Sequence, residues 1–182
     1  GEVDTVYLGC WPRSVFDRYG PFDETLVRNQ DDEHNLRMRL AGARIWQSRL
    51  IRSTYHPRNS LQHLFAQQRQ YGYWRPFVMR KHGQPGSVRQ LVPAAFVAAA
   101  IASAAALPWS AWPLAALAIA YAAYLVAASL AAARSARNWK LLPRLPAAIA
   151  AFHAGYGLGT WRGLWDIVRS RTPSADCARI TR

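Results

Sequence analysis

An α/β segment followed by transmembrane or interfacial α-helices is the architecture that this 182-residue sequence predicts. Three observations predict it. Up to about Pro85 the residues are mixed, polar and aromatic, whereas beyond Gln90 they turn to Ala, Leu and Val in long charge-free runs. Two of those runs reach the length that a bilayer core demands. The polar portion, in turn, alternates short β-branched or aromatic stretches with helix-patterned ones.

The α/β portion covers residues 1–59. Val3 to Leu8 alternates β-branched and aromatic residues, a strand signal closed by Gly9. Trp11 to Tyr19 reads as a short helix opened at Pro12 and stopped by Gly20, with a turn at Gly20-Pro21. Gln30 to Leu40 is a stronger helix: carboxylates occupy its first turn, Arg37 and Arg39 its last, and Gly42 stands just beyond, so both ends of the helix dipole are complemented. Ala43 to Gln47 and Ile51 to Tyr55 read as strands, and His56 to Asn59 as a turn.

Residues 60–90 form an amphipathic region. Ser60 is the expected N-cap of a helix running to Lys81, which Gly72 and Pro76 should bend or break. Aromatic and cationic residues placed directly before an apolar run predict an interfacial helix, with an ordinary amphipathic core helix as the alternative.

Residues 91–133 form the expected transmembrane hairpin. Leu91 to Leu107 and Pro113 to Ala133 both meet the lower limit of about 17 residues for a span. Between them lies an uncharged link with Trp109 and Trp112, residues suited to an interface. Arg75, Arg80, Lys81 and Arg89 precede the pair, and Arg134, Arg137, Lys140 and Arg144 follow it. The positive-inside rule therefore puts both outer ends in the cytoplasm. A soluble Ala-rich hairpin would have to bury both helices on all sides, since neither has a polar face. Residues 134–168 comprise a basic loop and a third apolar segment, Leu145 to Leu164. It carries His153, several glycines and Arg162, so a re-entrant or interfacial helix is expected there before a full span. Residues 169–182 form a short basic tail.

Charge narrows the function. The net charge is +13, yet eight of the ten acidic residues lie in the first 33 positions, and none falls between His34 and Trp165. Because the cations flank apolar runs and no nucleic-acid motif accompanies them, the pattern fits a membrane surface better than a nucleic acid. Cys10 and Cys177 have no spacing that suggests a disulfide framework or a zinc site. His56, His63, His82 and His153 are scattered without metal-ligand spacing, so no metal site is expected among these residues. The carboxylates of Asp31, Asp32 and Glu33 stand together, which points to general-base chemistry or cation binding. The opening Gly1-Glu2-Val3-Asp4 reads as a chain that begins inside a domain.

Gln30-Asp31-Asp32-Glu33, taken with the preceding Gly20-Pro21-Phe22-Asp23-Glu24 and with Arg37 and Gly42 downstream, resembles the closing half of a family 2 glycosyltransferase domain of the GT-A fold. The likeness is greatest to the membrane-bound transferases of bacterial exopolysaccharide assembly, of the succinoglycan type. The fold it implies is the C-terminal part of a GT-A domain, an α/β fragment, continued by membrane helices. The activity it implies is inverting transfer of a sugar from a nucleotide-sugar donor to a lipid-linked saccharide acceptor, at the cytoplasmic face of the bacterial inner membrane. One carboxylate must take the acceptor hydroxyl's proton, and a helix N-terminus keeps such a group oriented and ionised. The resemblance assigns that role to Asp31, with Asp32 as the fallback one residue on and Glu33 as the second acid of the motif. Glu33 and Arg37, at i and i+4, also suit a helix ion pair.

A second motif of the processive synthases, Gln-x-x-Arg-Trp, has as its counterpart Gln67-Gln68-Arg69-Gln70-Tyr71. Gln67 is kept, but the Arg and the Trp are replaced, which favours a single-transfer enzyme and leaves Arg69 or Arg75 to supply the lost guanidinium. Tyr71 and Trp74 are the rings available to stack on an acceptor sugar, with helix packing as the other use. The divalent cation of the family, Mg or Mn, is expected in the full-length enzyme. Its Asp-x-Asp site is absent from these residues, so the segment is expected to be inactive alone. The rival reading is a small, basic, non-catalytic membrane protein that binds anionic lipid or a protein partner.

Overall fold

A computed structural model describes residues 1–6, 9–54, 60–171, 173 and 177. Helices dominate it. In chain order they are α1 (Arg13–Tyr19), α2 (Gln30–Leu40), α3 (Leu61–His82), α4 (Val92–Ala105), α5 (Trp112–Ser135) and α6 (Leu145–Val168), with short 3-10 turns leading into α4 and α6. The β structure among the described residues is one antiparallel pair, β1 (Glu2–Val3) with β2 (Ile45–Trp46), in which Val3 faces Ile45.

The expected membrane-length helices are present, but an α/β fragment is not confirmed. Each strand has two residues, and 51–54, expected as a strand, is irregular. Tyr7, Leu8, Tyr55 and the expected turn at His56 to Asn59 lie outside the described residues. The physical reason is a missing partner: Ile51 is 78% exposed, and a two-stranded ribbon offers a strand neither a third neighbour nor a face to cover.

Helix α2 starts and stops where its charges and Gly42 indicate. Asn29 precedes it in the left-handed region (φ 63°), and Gly42 follows at φ 84°. Helix α3 begins at the expected cap, where Ser60 Oγ accepts the His63 N–H at 3.2 Å. It is not broken. Gly72 and Pro76 lie inside one continuous 22-residue helix because α6 packs against it from Phe65 to Pro76, and close packing outweighs local propensity. Residues with no side chain form that seam. A Cβ on Gly155 would sit 2.6 Å from the Phe65 carbonyl, and one on Gly159 or Gly163 would overlap the carbonyls of Arg69 and Tyr73. Gly72 answers from α3, fitting against the Tyr156 carbonyl. Because the contacts Phe65/Gly155, Arg69/Gly159 and Tyr73/Gly163 rise together in number, the two helices run in the same direction, a small-xxx-small packing.

Tyr73 and Trp74 are buried with Leu26, Leu36, Val78 and Cys177 in the core, so these rings serve packing rather than headgroups. The third apolar segment, Leu145 to Leu164, is part of one unbroken helix. Gly157 closes against the first turn of α4, and Trp161 Nε1 donates to the Ala94 carbonyl at 2.9 Å.

Two helical stretches, Val88–Ala105 and Trp112–Ser135, are long and apolar enough to cross a membrane. Of an 18-residue apolar stretch in each, only 11% and 6% is buried, so the described residues do not cover the hairpin on all sides. Trp109, in the link, and Trp112, which opens α5, are 84% and 80% exposed.

Candidate functional site

Three consecutive acids at the head of α2 project in three directions, because each residue of an α-helix is rotated about 100° from the last. Glu33 points inward and is fully buried. Around it stand Arg37 Nη2 at 3.0 Å, Lys81 Nζ at 3.0 Å and His82 Nε2 at 2.9 Å. Burial alone would push this carboxyl up, but the hydrogen bonds from Lys81 and His82 and the Arg37 charge outweigh it and hold the group below its ordinary value. Lys81 also donates to Asp23 at 2.6 Å, and with the Thr25 hydroxyl it holds Asp23 at about 2.

Asp32 turns toward α3 and α6. Its Oδ2 receives Arg75 Nη2 at 2.5 Å, and its Oδ1 the Thr5 hydroxyl at 2.8 Å. Arg75 is buried, and its Nε donates to the Tyr156 hydroxyl at 3.0 Å, so one guanidinium ties α2 to both long helices. Asn35, one turn below, steadies Thr5 with a 2.9 Å hydrogen bond.

Asp31 is exposed and takes no cation among the described residues; its Oδ1 accepts only the neighbouring Asp32 N–H, at 2.9 Å. Although the side chain reaches solvent, the protein packed around the head of α2 partly desolvates its carboxyl and pushes it up, with the charge on Asp32 adding and backbone N–H groups and Arg75 opposing. Of the three acids it alone has no cation partner among the described residues.

Arg37 does more than pair with Glu33. Its Nη1 and Nη2 donate to the carbonyls of Tyr19 and Pro21 at 2.5 and 2.8 Å, so the Gly20-Pro21 turn is fastened to α2. Gly20 has φ 80° and lies against that guanidinium, which explains a glycine there. His34 is fully buried, stacked on Phe16 with ring centroids 5.4 Å apart and edged by Trp11 and Phe22. Burial, helped by the Arg37 charge, holds it below its ordinary value.

The remaining expected site residues separate. Gln67 is half-buried on α3. Tyr71 stays near the head of α2: its carbonyl accepts Asn29 Nδ2 at 2.9 Å, and the Arg28 guanidinium lies 5.6 Å from its ring. Trp74 is 2% exposed, with its Nε1 donating to the Cys177 carbonyl, so it cannot stack on a sugar. Sequence reasoning missed Thr5, Asn35, Lys81, His82 and the Arg28–Gln70 contact at 3.1 Å. No local signal marks these residues, since each acts on a partner far away in the chain.

A metal does not fit here. Among the described residues no three His, Cys, Asp or Glu side chains converge, and two of the three adjacent carboxylates are already held by cations.

Comparison with known proteins gives one kind of likeness. Over 81 residues the chain is 36% identical to the succinoglycan biosynthesis protein ExoA of Rhizobium meliloti (strain 1021), a stretch that makes up 44% of this chain. The chain spans about a quarter (24%) of that relative's length. This is a distant, family-level resemblance. No family model matches, and no solved structure does.

Proposed function

We propose that the chain is the acceptor-side and membrane-anchoring part of an inverting glycosyltransferase that moves a sugar from a nucleotide-sugar to a lipid-linked saccharide at the cytoplasmic face of a bacterial inner membrane. The observation that carries the reading is the unequal treatment of three adjacent carboxylates: two are neutralised by cations and the third is left open. The likeness to a succinoglycan biosynthesis protein supports it, as do two helices suited to crossing a membrane.

In this mechanism an acceptor hydroxyl attacks the anomeric carbon as the bond to the nucleoside diphosphate breaks. Asp31 takes the hydroxyl's proton. Asp32, fixed by Arg75, and Glu33, fixed by Arg37, Lys81 and His82, hold the first turn of α2 so that Asp31 stays oriented. A divalent cation, if the intact enzyme uses one, would be held by residues other than these.

The test is transfer itself. Membranes containing the intact polypeptide are incubated with a panel of radiolabelled nucleotide-sugars, and label is measured in the organic-soluble lipid fraction. Label above that of membranes lacking the polypeptide is expected with one donor. None with any donor would overturn the assignment.

A further inference from the structure

Asp32 and Arg75 form one wall of a cleft of about 270 Å³ that lies where α4 begins. Its polar side contains two further guanidinium groups, those of Arg39 and Arg89. Arg75 is committed, held by Asp32 and Tyr156. Arg39 and Arg89 are not. Among the described residues Arg39 makes only a long 3.5 Å contact with the Gly86 carbonyl, while Arg89 donates to the Ser87 hydroxyl at 3.3 Å and meets Asp4, itself part of the lining, at 3.0 Å in a pair whose arginine side chain is 82% exposed. Ion pairs as exposed as this contribute little and are readily exchanged for a better anion. Toward α4 and α6 the lining includes the apolar Pro93 and Phe152, and Leu36 joins it from α2, one turn beyond Asp32. Pro93 sits in the first turn of α4, so this side continues onto a helix long and apolar enough to cross a membrane.

Guanidinium groups suit phosphate oxygens, which they can meet with paired hydrogen bonds. An apolar wall running into a membrane-crossing helix suits a hydrocarbon chain. We propose that this cleft binds a phosphate ester carried on an apolar chain, with Arg39 and Arg89 as its guanidinium contacts and Pro93 and Phe152 against the start of the chain. A phosphate so placed lies beside Asp32, one residue from Asp31. That the lipid is the sugar acceptor rests on the transferase reading above; that it binds does not.

Equilibrium binding tests the site. The chain in neutral detergent micelles is titrated with ³²P-labelled dodecyl phosphate, and the label is chased with unlabelled dodecyl phosphate, dodecanol or inorganic phosphate. Saturable binding is expected, with dodecanol and inorganic phosphate at least tenfold poorer as competitors. The double variant Arg39→Gln/Arg89→Gln should bind about 100-fold more weakly, roughly tenfold per guanidinium, and Arg39→Lys/Arg89→Lys should fall between. Arg134→Gln/Lys140→Gln removes the same charge outside the cleft and should bind as the unaltered chain does. Unchanged binding by the Arg39/Arg89 variants would overturn the proposal. Equal loss in the control would reduce it to diffuse charge. Chasing by inorganic phosphate as effective as by dodecyl phosphate would assign the cleft to a soluble phosphate instead. The experiment involves no turnover, so it can fail while sugar transfer stands, and stand while transfer fails.

Discussion

Asp31, Asp32 and Glu33 are nearly the same chemical group, and helical rotation gives them three environments. Glu33 is buried among three cationic or hydrogen-bonding side chains, Asp32 is bonded to Arg75, and Asp31 meets solvent. Lys81 links the buried end of this set to Asp23. Asp23 and Glu33 both titrate below their ordinary values of 3.8 and 4.5, so the stability they supply is present above that range and is lost as pH falls through the folded-state values, about 2 for Asp23. Lys81→Met removes the first cause of the Asp23 shift and one of the causes at Glu33. The variant should melt at a lower temperature than the unaltered chain at neutral pH, and the difference should close as pH drops toward about 2. Thermal melting in neutral detergent across that range checks it, and a gap independent of pH would remove the ion pairs from the account.

At the scale of the element, α2 was legible because its signals are local: acids in the first turn, arginines in the last, and a glycine beyond. The two helices long and apolar enough to cross a membrane were legible for the same reason, through length and composition alone. The course of α3 was not. Gly72 and Pro76 read as breakers, and their tolerance depends on α6, whose glycines pack against it from about 90 residues away. The chain does contain the Gly155, Gly159, Gly163 ridge, but spacing cannot say which helix faces it. Gly159→Ala would drive a Cβ into the Arg69 carbonyl, and backbone cannot move aside as a flexible side chain can. A loss of about 1–3 kcal/mol or more is expected, as for overpacking. Leu158→Ala, at a neighbouring position 45% exposed, should cost much less. Chemical denaturation in micelles compares the two, and equal losses would refute a tight α3–α6 seam.

For the whole molecule, the outer flanks of the α4–α5 hairpin carry Arg and Lys while Trp109 lies in its link and Trp112 opens α5. A reporter placed in that link should be periplasmic, and one placed after Lys140 cytoplasmic. Reversed signals would turn the hairpin over and move the head of α2 to the wrong side for a cytoplasmic nucleotide-sugar. The sheet was the least legible part, since strands read from alternation need neighbours that the described residues lack. Of the candidate site, the acids and Arg37 could be named in advance from their motif. The partners that sort those acids could not: Arg75 reaches Asp32 across 43 residues, and His82 reaches Glu33 across 49.

That sorting is the central claim, and sugar transfer by three variants of the intact polypeptide tests it most directly. Asp31→Asn removes the proton acceptor at almost constant volume and should lower turnover about 100-fold or more, per amount of folded protein. Asp32→Asn leaves Arg75 without its carboxylate, so it should chiefly lower stability and reduce turnover far less. Glu33→Gln should fall between. Near-normal transfer by Asp31→Asn beside an inactive but folded Asp32→Asn would contradict the account.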